Sequence, residues 1–109
     1  MPELVAFLRD TLTPRLVAFI AGVTETRATR QWAEGEREVG SNEREQRLRA
    51  TAHVARLISE AYDAAAAQAW MQGMDPMLDD RSPAWVLRHA SDDAERIAVL
   101  ASARRFIVQ

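Results

Sequence analysis

The chain has 109 residues, which is enough for one domain, or for two very small domains that share a core. Its 14 basic and 16 acidic residues nearly balance, and the absence of cysteine excludes disulfides, thiolate metal sites and cysteine nucleophiles. A membrane partner and a signal peptide are not expected, because apolar runs are short and the chain opens with Pro2 and Glu3, so we predict a cytoplasmic protein.

Charge divides unevenly along the chain. Residues 1–58 contain 9 arginines and 8 acidic residues, whereas residues 59–109 contain 5 arginines and 8 acidic residues. Every basic residue is an arginine, whose planar guanidinium forms bidentate contacts with phosphate or carboxylate. The first segment is therefore the one suited to approach an anion such as DNA.

The sequence predicts an all-α fold, because no segment alternates apolar and polar residues for long enough to form a strand. Residues 3–9 form a short amphipathic segment. Thr13 and Pro14 then have the form of a helix cap and a first helical residue, and this helix ends at Gly22. Thr24 is expected to cap the next helix, which ends at Gly35.

A long central helix follows the polar loop 36–42. Asn42 and Glu45 have the spacing of a capping box, and the helix is expected to reach at least Ser59. Its polar stripe comprises Arg49, His53, Arg56, Glu60 and Asp63. The opposite, apolar face comprises Leu48, Ala55, Ile58 and Tyr62.

Three further helices are predicted in the second half of the chain. Asp63 starts one that ends at Gly73, and Ser82 with Pro83 starts another. Ser91 is expected to cap the last helix, which runs to about Arg105.

Residues 14–33 have the pattern of a helix-turn-helix. Ala18 is small enough to let the second helix approach, Gly22 tolerates a positive φ in the turn, and Val23 fills the gap between the helices. Ala28 and Trp32 face inward. The residues predicted to contact DNA are Thr24, Thr26, Arg27, Thr29 and Arg30.

A second interpretation of this segment is a simple helical hairpin whose arginines are solvated. Glu25, Glu34, Glu36 and Glu38 oppose strong DNA binding, because each carboxylate repels nearby phosphates. If the segment binds DNA, a homodimer on a palindromic operator is the expected form.

The second half contains a recognisable set of single residues: Trp70, Met71, Pro76, Leu78, Arg81, Pro83, Val86, Leu87, Arg88, Val99, Leu100 and the apolar end 106–108. In these residues it is similar to the toxin-binding domain of the Xre/MbcA/ParS antitoxins, with the closest likeness to the MbcA branch. The likeness extends upstream, to a helix-turn-helix with a tryptophan late in its recognition helix, as Trp32 is. It therefore covers nearly the whole chain.

The resemblance implies an antitoxin that blocks a RES-type, NAD-degrading toxin and represses its own operon, in a dimer or larger assembly with that toxin. The ParS branch implies an ADP-ribosylating toxin instead. By this resemblance, residues 1–58 form a helix-turn-helix-like DNA-binding region and residues 59–109 a toxin-binding domain. The implied toxin contacts are Met77, Leu78, Arg81, Trp85, Arg88, Arg104, Arg105, Phe106, Ile107, Val108 and Gln109.

The pattern of the last helix is compatible with a partner. Ile97, Leu100 and Ala101 share an apolar face, with Arg104 in its middle, and the bulky end 106–108 follows. The alternative is that this end folds back on the protein's own core. Trp70 is expected in the core, whereas Trp85 fits either the core or an interface.

No enzyme activity, metal or cofactor is predicted. The two histidines, His53 and His89, lie on different helices outside any spaced metal motif, and no phosphate loop, nucleophile elbow or dinucleotide fingerprint is present. The main rival hypothesis is a dimeric helix-turn-helix regulator whose second half serves only dimerisation. A structural helical adaptor is the third possibility.

Overall fold

Residues 1–108, the part of the chain that the computed structural model describes, form seven α-helices and one turn of 3₁₀ helix. The helices are α1 (Pro2–Leu12), α2 (Pro14–Ala21), α3 (Thr26–Ala33), α4 (Asn42–Ala61), α5 (Ala64–Gln72), α6 (Pro83–His89) and α7 (Asp93–Ile107), with the 3₁₀ turn at Pro76–Leu78. The predicted all-α fold class is confirmed. None of these helices combines the length and apolar character needed to cross a bilayer.

Helix α4 is the centre of the fold, and α1, α2, α5, α6 and α7 pack around it. Its apolar face is buried as predicted at Leu48, Ala55 and Ile58, and the residues of its predicted polar stripe are exposed. Tyr62 is an exception, because it follows the last helical residue and is 49% exposed.

Side chains from both segments of the chain share one buried core. Leu8 and Trp32 come from the first three helices, while Met71 and Leu87 come from the helices after α4, and all four belong to the same cluster. The direct contacts of α1 with α5 and of α2 with α6 join the two segments. A functional division at residue 58 stays a prediction.

Three predicted helix caps are confirmed. The side chains of Thr13, Asp63 and Ser82 accept hydrogen bonds from the backbone N–H groups three residues later, which satisfies donors that the first helical turn leaves free. Gly22 ends α2 with φ of 82°, as the turn requires, and its N–H donates to the carbonyl of Ala18.

Three other predicted caps are wrong by one residue, because the extended residue that directly precedes a helix is the one that caps it. The long helix is capped by Ser41, whose hydroxyl accepts from Arg44 N at 3.1 Å. The residues at the cap positions are Glu25 instead of Thr24, Ser41 instead of Asn42 with Glu45, and Asp92 instead of Ser91. Glu25 occupies its position without a side-chain cap hydrogen bond. The first helix is longer than predicted, and α7 continues to Ile107.

Candidate functional site

Helices α2 and α3 form the pair that the sequence predicted as a helix-turn-helix. They contact each other, and Ala18 is 4% exposed. Val23 donates its N–H to the carbonyl of Ala18 and packs partly buried against the core. Ala28 and Trp32 are buried, as predicted for the inner face of α3.

The candidate DNA contacts differ in accessibility. Thr24, Thr26 and Arg27 are exposed at the start of α3. The expectation that Thr29 is exposed is wrong, because its side chain is fully buried and its hydroxyl donates to the carbonyl of Thr26 at 2.7 Å. Thr29 therefore supports the helix rather than presenting a group to a ligand.

Arg30 is accessible, but two carboxylates neutralise its charge. Its Nη1 atom lies 2.5 Å from a carboxylate oxygen of Glu34 and 3.6 Å from one of Glu36. Such pairs compete with phosphate for the guanidinium. Arg27, the other candidate arginine on α3, is exposed and forms no ion pair within the part of the chain that the structure describes, so its charge is available to a phosphate.

Asp75 organises the connection between α5 and α6. One carboxylate oxygen accepts from Met77 N at 2.9 Å, and the other accepts from the hydroxyl of Ser102 on α7. Its carbonyl accepts from Leu78 N and Asp80 N, both at 2.9 Å. Asp75 and Arg81 also form an isolated antiparallel bridge. The connection is therefore held in one shape by hydrogen bonds, although it has little regular structure.

A groove of about 650 Å³ lies between α5, this connection and α7. It brings together three predicted contact residues, Met77, Arg105 and Phe106. The other residues that line the groove were not predicted as toxin contacts; they are Ala66, Ala69, Trp70, Gly73, Met74, Asp75, Pro76 and Ser102. Met74 is 81% exposed. Its position after Gly73, in an irregular connection, was the feature of the sequence that could have indicated an exposed contact residue.

The apolar end of the chain divides between core and solvent. Phe106 and Ile107 are half-buried and pack against the core, and the ring of Phe106 meets that of Tyr62 edge to face at 5.6 Å. Val108 is 80% exposed. Gln109 lies outside the described residues.

The outer face of α7 carries an apolar stripe with one arginine. Ile97, Ala101 and Arg104 are exposed at helical spacing, and Ile97 is 63% exposed. Val108, directly after the last helical residue, continues this stripe. The core face of the same helix comprises Val99, Ser102 and Ala103. Leu100, which was predicted on the outer face, is partly buried against the core.

The predicted contacts on α6 and before it have different surroundings. Trp85 is 40% exposed, stacks on His89 with ring centroids 4.1 Å apart, and lies 5.4 Å from the Arg81 guanidinium. Leu78 is 2% exposed, which overturns its prediction as a surface contact, because the 3₁₀ turn directs it into the core. Arg88 is turned toward α2, where it contacts Phe19.

Comparison with known proteins gives a structural match. No protein-family model matches the chain, and no curated protein matches it. The fold is similar to a chain in the crystal structure of the M. tuberculosis MbcT–MbcA toxin–antitoxin complex, with 24% identity and a TM-score of 0.70. The alignment covers 95% of this chain and 94% of that one, so the likeness extends over nearly the whole fold.

Proposed function

We propose that this protein is an antitoxin that binds and blocks a RES-type, NAD-degrading toxin. The observation that carries the proposal is the full-length fold match to a chain of a toxin–antitoxin complex. The motif resemblance in residues 70–108 selects the antitoxin side of such a pair. The two arguments rest on different information: the fold match rests on backbone shape over 95% of the chain, and the resemblance rests on residue types.

The exposed apolar surface of the C-terminal third supports a protein partner. Met74, Ile97 and Val108 are each more than half exposed, and Met77 and Trp85 are nearly half exposed. Burying such side chains against a partner is favourable by about 25 cal/mol per Å² of apolar surface. Methionine and tryptophan are also residues that protein interfaces favour.

The proposed toxin surface consists of the α7 stripe and the adjacent groove. Arg104 and Arg105 are exposed beside these apolar residues, so the surface suits an acidic rim around an apolar patch on the toxin. Leu78 is left out because it is buried, and Arg88 is left out because it contacts α2. The proposed contacts are Met74, Met77, Ile97, Arg104, Arg105, Phe106 and Val108, with Trp85 and Arg81 on the neighbouring surface.

Repression of its own operon is the second part of the proposal. The α2–α3 pair presents Thr24, Thr26 and Arg27 at one end, in the place where a recognition helix meets base edges and phosphates. Because Arg30 is paired with glutamates, we expect weak binding by a monomer and operator binding as a homodimer.

Co-expression with a RES-domain toxin from the same operon tests the proposal. The full chain should restore growth and the cellular NAD level of toxin-arrested cells, and it should co-purify with the toxin. A chain without residues 104–109 should lose both effects while keeping its helical circular dichroism. Failure of the full chain to restore NAD, together with intact operator binding, would instead favour the helix-turn-helix regulator without a toxin partner.

A further inference from the structure

The C-terminal end of α2 is contacted by arginines from two other helices, α4 and α6. Arg44 Nε and Arg47 Nη1, both from α4, donate to the same carbonyl of Ala21, each at 3.2 Å. Arg88 Nη1, from α6, donates to the carbonyl of Phe19 at 2.9 Å. Three guanidinium groups therefore converge on the last turn of one eight-residue helix.

The positive charge at this place exceeds what nearby carboxylates neutralise. Arg96 of α7 adds a fourth guanidinium that acts on Arg47. Burial lowers the pKa of Arg47. The carboxylate of Glu43 opposes this shift, and the positive charges of the three other arginines lower the pKa further. Two acidic groups pair with the cluster: Glu43 with Arg47 at 3.4 Å, and Asp93 with Arg96 at 3.1 Å. Four cations thus face two carboxylates that are largely exposed to solvent.

Some N–H groups of these arginines also remain without a hydrogen-bond acceptor within residues 1–108. A guanidinium has five N–H donors, and the contacts described above use one from Arg88. Within residues 1–108, the Nε atoms of Arg47 and Arg96 are buried and have no hydrogen-bond partner. Groups that are desolvated, mutually repelling and incompletely paired gain most from an added anion.

The cluster also lies beside the start of the proposed recognition helix. Gly22, exposed and with φ of 82°, follows Ala21 directly, and its Cβ position would be 3.4 Å from Arg47 Nη1. The exposed residues Thr24, Thr26 and Arg27 come next. A phosphate bound at the cluster would therefore flank the surface proposed to meet DNA.

We propose that Arg44, Arg47, Arg88 and Arg96 form an oxyanion site for a phosphate group, supplied by the DNA backbone next to the recognition helix. The site lies outside the helix-turn-helix itself and uses arginines from both segments of the chain. The identification of DNA as the source of the phosphate rests on the proposed operator binding. The binding of a phosphate group at the site is independent of that proposal, because free inorganic phosphate presents the same oxygens.

Titration of the purified full chain with inorganic phosphate, at constant ionic strength adjusted with sodium chloride, tests the site without toxin or operator. Phosphate should bind, and Arg88→Gln should weaken its binding by at least about threefold, because one positive charge near the anion is removed. Asp93→Asn and Glu43→Gln should each tighten binding, and both should fold normally because these carboxylates are largely exposed. Arg49→Gln, an exposed α4 arginine outside the cluster, is the matched control.

Duplex DNA distinguishes the two sources of phosphate. If the backbone is the source, Arg88→Gln should reduce the slope of log K against log salt by about 1, and Arg49→Gln should leave it unchanged. Phosphate binding that depends on the cluster, with no change in the DNA slope, would assign the site to free phosphate. Absence of phosphate binding, or equal binding by wild type, Arg88→Gln and Asp93→Asn, would overturn the proposal, whatever the result of toxin co-expression.

Discussion

Arg88 contacts Phe19 in two ways: its Nη1 atom donates to the Phe19 carbonyl at 2.9 Å, and its guanidinium carbon lies 4.7 Å from the centroid of the Phe19 ring. The two residues are 69 positions apart and belong to α6 and α2. This contact ties the proposed toxin-binding segment to the proposed DNA-binding segment, so the two surfaces are parts of one packed unit.

Replacing Arg88 with alanine should lower the free energy of unfolding by about 1–2 kcal/mol, because a hydrogen bond and a cation–π contact are lost together. Urea unfolding followed by circular dichroism measures this difference. Arg49→Ala removes an exposed arginine of α4 that makes neither contact within residues 1–108, and it should change the free energy of unfolding by less than about 0.5 kcal/mol. An equal effect of both substitutions would contradict a specific role for Arg88.

Thr13 separates α1 from α2 with φ of 89° and ψ of 148°, a backbone region that β-branched residues rarely adopt. Thr13→Gly should therefore raise the free energy of unfolding by about 0.5–1 kcal/mol, since relief of strain outweighs loss of the cap. Thr13→Ala is the matched control: it keeps the strain and loses the cap, so it should destabilise. Thermal unfolding of both variants decides the sign, and a glycine variant that is less stable than the wild type would refute the strain argument.

Trp32 is 1% exposed, and its buried indole N–H has no hydrogen-bond partner among residues 1–108. Trp32→Ala should cost about 3–5 kcal/mol, because it leaves a large cavity in the shared core. Trp32→Phe should cost much less, about 1–2 kcal/mol, because it keeps most of the ring volume and removes the unpaired donor. Chemical denaturation measures both values, and similar losses for the two variants would indicate that the N–H has a partner after all.

Ser102 fastens the connection between α5 and α6 to α7 through the carboxylate of Asp75. Ser102→Ala should cost about 1.5–3 kcal/mol, the usual value for a hydrogen bond to a charged group. It should also speed hydrogen exchange at the amides of Leu78 and Asp80, which donate to the Asp75 carbonyl. Ser59→Ala, which removes a hydroxyl bonded only within α4, is the control. Unchanged exchange at both amides would contradict the fastening role.

Much of the helical pattern could be predicted from local signals. Four of these signals depend only on residues within one helical turn: the helix starts at Thr13–Pro14 and Ser82–Pro83, the cap at Asp63 and the helix end at Gly22. Two of the caps that were wrong by one residue lie where two neighbouring residues are both able to cap, Ser41 with Asn42 and Ser91 with Asp92, and only the backbone conformation distinguishes them.

The errors in the candidate sites have a different cause, because burial depends on packing between distant segments. Thr29 has a polar side chain of the kind usually found at the surface, yet it is buried in α3, the helix that packs on α1 and α2. Leu78 lies in a polar connection, but the 3₁₀ turn places it in the core. The arginine cluster at the end of α2 draws on α4, α6 and α7, and no spacing along the chain reveals that convergence.

The affinity of the purified protein for its RES-domain toxin, measured by titration calorimetry, tests the central claim most directly. Ile97→Asp and Val108→Asp place a charge in the exposed stripe of α7, and each should weaken binding by at least about tenfold. Ala65→Asp introduces the same charge at an exposed position in the first turn of α5, where an acidic residue is tolerated, and should bind like wild type. Toxin affinity that is unchanged in both α7 variants would contradict the claim that this surface is the inhibitory interface.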